Sequence, residues 1–113
     1  MDGKDIALAA ARAAADKKAE DVIILDVTKV SSVTDFFVIC SGRSAPQVRA
    51  ISESVCEKLS EAGSRRLRRE GTEEAGWILV DFGDAVIHIF DEREREFYKL
   101  ESLWKDADRV DVQ

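Results

Sequence analysis

At 113 residues, with 45% apolar and 35% charged side chains, the chain has the balance of one soluble globular domain (residues 1–113) and enough length to bury a core. Seventeen basic against twenty-three acidic residues leave a net charge of −6, which argues against broad binding to nucleic acid. No apolar run approaches the ~20 residues of a membrane span, and the opening MDGKD resembles neither a signal peptide nor a transit peptide, so a cytoplasmic location is expected.

Asp5 to Lys18 is rich in alanine and free of Gly and Pro, which predicts a helix burying Ile6, Ala10, Ala13 and Ala14. Val22 to Val27 is a short β-branched run and predicts a buried strand. Phe36 to Cys40 predicts a second, after the polar stretch Lys29 to Asp35. Ser44 can cap a helix with Pro46 in its first turn, and Gln47 completes a capping-box pattern. Val48, Ile51, Val55, Leu59 and Ala62 then recur at helical spacing up to Gly63, a natural stop. Arg65 to Arg69 predicts a short strand with Leu67 facing inward, and Gly71 to Gly76 a polar loop. Trp77 to Phe82 and Ala85 to Phe90 predict two more strands. Asp91 to Glu96 reads as a charged connector, and Phe97 to Asp106 as a final short helix with Phe97, Leu100 and Trp104 on its core side. The order α-β-β-α-β-β-β-α predicts an α/β (α+β) fold: a mixed sheet of about five strands flanked by helices.

Gly83-Asp84 between two apolar runs predicts a two-residue hairpin. That turn sets Phe82 opposite Ala85, Val80 opposite Ile87 and Ile78 opposite Ile89, an all-apolar side that must face the core. The other side pairs Asp81 with Val86, Leu79 with His88 and Trp77 with Phe90. Aromatic rings beside a histidine and a carboxylate have the composition of a protein-docking patch. The same residues would also serve as ordinary core beneath a covering helix, and the pattern leaves both readings open. Tyr98 and Glu101 lie beside the core side of the last predicted helix, where they could be exposed.

Charge is unevenly spread. Residues 1–69 carry twelve Lys/Arg and ten Asp/Glu, whereas residues 70–113 carry five and thirteen, a net of −8. That acidic half steers towards a basic partner, or simply confers solubility. Two cysteines without CxxC spacing and a single histidine cannot supply the four clustered ligands of a structural zinc site, so no metal and no other cofactor is expected. Cys40 and Cys56 read as reduced, small core residues. Asp81-Phe82-Gly83 spells a kinase motif, but the chain is too short for a kinase and lacks its phosphate loop. Ser41-Gly42-Arg43-Ser44 reads as a helix cap, since neither GxxxxGK[ST] nor GxGxxG is present. His88 sits mid-strand with no nucleophile elbow nearby, which favours packing or an interface over a catalytic triad. The arginines at 65, 66, 68 and 69 alternate between two faces of a strand, as on a solubilised edge or at a weak RNA contact.

Three stretches are recognisable. Thr34-Asp35-Phe36-Phe37-Val38-Ile39-Cys40-Ser41-Gly42, the run from Trp77 through Gly83 to Phe90, and Arg95-Glu96-Phe97-Tyr98-Lys99-Leu100-Glu101-Ser102-Leu103-Trp104 resemble the signatures of the ribosomal silencing factor family, also called iojap or RsfS. The similarity runs in order from about Val22 to Ala107. It implies a nucleotidyltransferase-like fold without enzymatic activity. Asp26, Asp35, Asp81 and Asp84 do not form the closely spaced carboxylate pair of two-metal nucleotidyl transfer. It further implies binding to ribosomal protein L-fourteen of the large subunit, steric block of subunit joining, and lowered translation when nutrients are scarce. A homodimer belongs to the same expectation, and Arg65, Arg66, Arg68 and Arg69 leave room for a secondary contact with ribosomal RNA. Trp77, Leu79, Asp81, Asp84, His88, Phe90, Tyr98 and Glu101 are the expected partner-binding residues. Two other classes stay open: a nucleotide-binding or nucleotidyltransferase-related protein, and an adaptor unrelated to ribosomes.

Overall fold

In the computed structural model, which describes residues 1–112 (of Glu101 and Leu103 the backbone alone), local capping signals set most element ends. Helix α1 (Gly3–Asp16) starts where the Asp2 carboxylate accepts the Asp5 N–H, and α2 (Ala45–Glu61) where Ser44 Oγ accepts the Gln47 N–H at 3.2 Å. Gln47 does not close the expected capping box. Its Oε1 accepts from the Arg43 N–H and its Nε2 donates to the Lys17 and Lys18 carbonyls, tying the start of α2 to the end of α1.

Six strands form one sheet in the order β3-β4-β5-β2-β1-β6: β1 (Glu20–Asp26), β2 (Phe36–Gly42), β3 (Arg68–Thr72), β4 (Trp77–Asp81), β5 (Ala85–Asp91) and β6 (Asp108–Val110). Among the described residues only β2 and β5 run parallel; the other pairs are antiparallel. The fold class is therefore the expected mixed sheet with helices. The sixth strand was not anticipated, because Asp-Arg-Val offers no apolar alternation and pairs only once β1 presents a free edge.

Helices α1 and α2 lie together on one face. Ala7, Ala10, Ala11 and Ala14 are fully buried there with Ile24, Val38, Cys40, Ile78, Val80, Ile87 and Ile89. Alanine's small volume lets α1 sit close to α2, and Ser54 Oγ donates to the Ala13 carbonyl at 3.0 Å inside that contact. The hairpin register is the expected one: Ile78 opposite Ile89, Val80 opposite Ile87 and Trp77 opposite Phe90. Gly83 takes φ +86° and Asp84 no positive φ, which excludes a type I′ turn.

Four further expectations fail. The third strand spans Arg68–Thr72 and not Arg65–Arg69, so it takes in Gly71 and Thr72 of the expected loop. Asp91 to Glu96 is no connector: Asp91 Oδ1 accepts the Glu94 N–H at 2.7 Å and caps a helix, α3 (Glu92–Tyr98). No single helix spans Phe97 to Asp106. Lys99 adopts φ +47° and ψ +49°, ends α3 and begins the short α4 (Leu100–Leu103), so Phe97 is 69% exposed instead of buried. Leu67, expected to face inward, is 64% exposed. It precedes β3 on an edge of the sheet, its N–H donating to the Asp81 carbonyl at 2.8 Å and its side chain beside the Gly83 turn.

Gly71 in β3 combines φ +82° with a position where a Cβ would stand 2.1 Å from the Trp77 carbonyl oxygen. Gly71→Ala should therefore separate β3 from β4 and cost about 2 kcal/mol or more. Urea unfolding together with faster amide exchange in β3, but not in β2, checks this.

Candidate functional site

The sheet face opposite α1 and α2 carries the side chains that the hairpin turns outward. Leu25, Val27, Ile39 and Phe90 form a small second core there, packed by Ile23, Phe37, Trp77, Leu100, Trp104 and Ala107. The cover is partial: His88 and Phe90 are buried as core, and part of the face stays open. Leu100 and Trp104 close one side of it, while Tyr98 stays 53% exposed. Between them runs a shallow groove of about 220 Å³ lined by Trp77, His88, Phe90, Tyr98 and Leu100, almost wholly apolar.

Aromatic contacts build this groove. The His88 ring stacks on Phe90 at 6.0 Å and 5°, and meets the edge of Phe37 at 5.4 Å. Phe90 touches Tyr98 at 5.9 Å, and Tyr98 touches Phe97 at 5.1 Å. Trp77 Nε1–H donates to His88 Nδ1 at 3.3 Å. Acceptance at Nδ1 means that a neutral His88 carries its proton on Nε2. Burial lowers the His88 pKa from 6.5 to about 4, because a charged imidazolium would lose its hydration among these rings.

A single arginine holds the wall formed by α3. Arg95 Nη1 donates to the Asp21 carbonyl at 2.7 Å, with Glu20 O and Ser41 Oγ at 3.4 and 3.3 Å. Those carbonyls sit at an irregularity in the pairing of β1 with β2, where Asp21 takes φ +48°. Asp91 accepts from Glu94 while its own N–H reaches the Gly76 carbonyl, which fixes the start of α3 beside Trp77.

The expected contact residues thus divide into groups. Trp77 and Tyr98 form the rim; His88, 8% exposed, and Phe90, 2% exposed, form the floor; Leu79 lies buried farther along the same face. Asp81 is already engaged. One carboxylate oxygen accepts the Gly83 N–H at 2.7 Å and the other the Arg68 guanidinium at 3.1 Å. Asp84 is exposed at the far end of the hairpin, roughly 20 Å along the strand from Trp77. The Glu101 side chain lies outside the described residues. Leu100 was missed as a site residue because an unbroken helix would have buried it, and the signal for the break is tertiary.

Burial pushes the Cys40 thiol up to about 12. Among the described residues no group of three or more His, Cys, Asp and Glu could hold a metal ion, and no helix is long and apolar enough to cross a membrane. The arginine run is split, with only Arg68 and Arg69 in β3 and on opposite faces of it. Arg68 pairs with Glu70 and Asp81 on the groove face, while Arg69 reaches towards Glu73 and shares a depression with Arg49 and Arg66 near α2. Arg65 and Arg66 pair with no carboxylate among the described residues.

Comparison with known proteins gives a consistent result. A family model described as "Ribosomal silencing factor during starvation" matches residues 2–113. The chain is 45% identical over 112 residues to ribosomal silencing factor RsfS of Bacillus subtilis, covering 99% of this chain and 95% of that one. It is 34% identical over 106 residues to the chloroplastic protein Iojap of Zea mays, covering 94% of this chain and 46% of the plant protein. A crystal structure of a Chromobacterium violaceum protein superposes with a TM-score of 0.89 at 38% identity, over 93% of this chain and 88% of that one. Another, from Bacillus halodurans, gives 0.84 at 40% identity, over 96% and 99%.

The buried imidazole makes stability depend on pH. Between pH 6.5 and about 4 the unfolded chain binds a proton that the folded chain refuses. This contribution is complete above pH 6.5 and is lost as pH falls towards 4, by about 3 kcal/mol at its full extent. The stability gap between wild type and His88→Phe in urea should shift in favour of the variant between pH 7 and pH 4.5. A gap independent of pH would show that His88 is not held neutral.

Proposed function

The chain belongs to the ribosomal silencing factor family, and from that premise we propose that it docks on ribosomal protein L-fourteen of the large subunit and blocks joining of the small subunit. The carrying observation is the aromatic groove of Trp77, His88, Phe90, Tyr98 and Leu100 on an otherwise strongly acidic half of the chain. Such a groove takes an apolar side chain of the partner, and aromatic walls supply most of the affinity. The surrounding excess of carboxylates favours a basic ribosomal protein and raises the rate of encounter.

Asp84, exposed and in no ion pair among the described residues, is free to meet a partner Lys or Arg; Glu101 is placed by the sequence in the same role. Asp81 acts differently. Its oxygens hold the turn and Arg68, so it shapes the hairpin and contributes to the field without offering a free oxygen. Arg65 and Arg66 lie away from the groove and supply the secondary contact with ribosomal RNA.

The mechanism is occlusion in the cytoplasm when nutrients are scarce. A body of 33 × 32 × 26 Å seated at the subunit interface denies the small subunit its place, and no bond is made or broken. Affinity and position are sufficient.

Sedimentation of the purified protein with isolated large and small subunits tests this. Wild type should travel with the large subunit and prevent joining. Trp77→Ala and Tyr98→Ala should each weaken binding by about 10- to 100-fold, the effect of deleting a central aromatic anchor. Failure of wild type to sediment with large subunits at any salt concentration would overturn the proposal.

A further inference from the structure

We propose that His88 is the positioning residue of the groove: its Nδ1 holds the Trp77 indole in the orientation that a partner meets. The inference rests on the docking role of the groove and adds how its rim is fixed. The indole and imidazole planes are inclined by only 22°, with centroids 6.3 Å apart. Between these nearly parallel rings the indole Nε1–H donates to His88 Nδ1 at 3.3 Å, the long end of the hydrogen-bond range.

His88 suits this task because packed neighbours surround it. Its backbone is in β5, held between β4 and β2, and its ring is wedged between Phe90 and the edge of Phe37. Burial keeps it neutral, so Nδ1 retains its lone pair. Trp77 is the opposite case. It begins β4 directly after the positive-φ Gly76, it is half-buried, and its ring forms the open edge of the groove. A rim residue ordered before docking spares the complex the cost of ordering it.

Side-chain geometry supplies a test in which packing and positioning predict opposite orders. Asparagine places its Oδ1 where histidine has Nδ1, but it is much smaller; leucine nearly matches the volume and has no acceptor. His88→Asn should keep the Trp77 indole proton protected from exchange and stay within about 3-fold of wild type on isolated large subunits. His88→Leu should lose the protection and bind about 10-fold more weakly. Leucine binding better than asparagine would reduce His88 to a filler and overturn the proposal.

A second measurement needs no variant. His88 is the only histidine in the chain, so the imidazole ¹⁵N shifts of wild type report one ring. A bare Nδ1 with Nε2 protonated is expected, and a proton on Nδ1 overturns the bond. If wild type fails to bind large subunits, the docking role falls and His88's part in it with it. A bound wild type with an unprotected Trp77 indole would sink the positioning role alone.

Discussion

Pairing of β4 with β5 is the constraint on which the remaining structure depends. With Gly83 at the turn, Ile78, Val80, Ile87 and Ile89 face α1 and α2, while Trp77, Leu79, His88 and Phe90 face the other way. Side chains alternate along a strand, so a slip of one residue would exchange the two sets: rings and an imidazole would meet the alanine-rich helix, and isoleucines would meet water. Two further ties hold the turn in register. Asp81 accepts the Gly83 N–H, and Thr34 Oγ1 donates to the Gly83 carbonyl at 2.9 Å. The parallel pairing of β5 with β2 then carries the same division into the middle of the sheet, where Ile39 stands beside His88.

The two faces are finished in different ways. Two long helices cover one, and the alanines of α1 permit a close contact. A short broken segment covers the other only in part. Lys99 in the left-handed region carries about 1 kcal/mol of strain, which is retained because the break seats Leu100 and Trp104 on the sheet. The Arg95 contacts hold α3 at a fixed height above β1 and β2, so the groove has a wall on each side. A continuous helix would have sealed this face.

Electrostatics follow the same division of labour. Along residues 70–113 the excess of acid is large, yet particular carboxylates are spent on structure: Asp81 on Arg68 and the turn, Asp91 on the cap of α3. What a basic partner would meet is the summed field of the remainder, which acts over a Debye length of about 8 Å in physiological salt. Under the proposed docking role, specific recognition would fall to shape and aromatic surface.

Local chemistry was legible in the sequence. The span of α2 followed from Ser44 and the apolar spacing, the hairpin register from Gly83-Asp84, and the helix-facing side of the hairpin from alternation. Even the cap of α3 was present in Asp91 and Glu94, although a run of six charged residues hides it. The sequence also brought Trp77, His88 and Phe90 to one face, because strand parity depends on nothing beyond the strand. Whether that face lay open or covered was decided by tertiary structure alone. The break at Lys99, the exposure of Phe97 and Tyr98, the Arg68 partner of Asp81 and the pairing of β6 all join residues distant in the chain or depend on such contacts. Periodicity tells a residue which way to point; only the packed neighbours settle what it meets there.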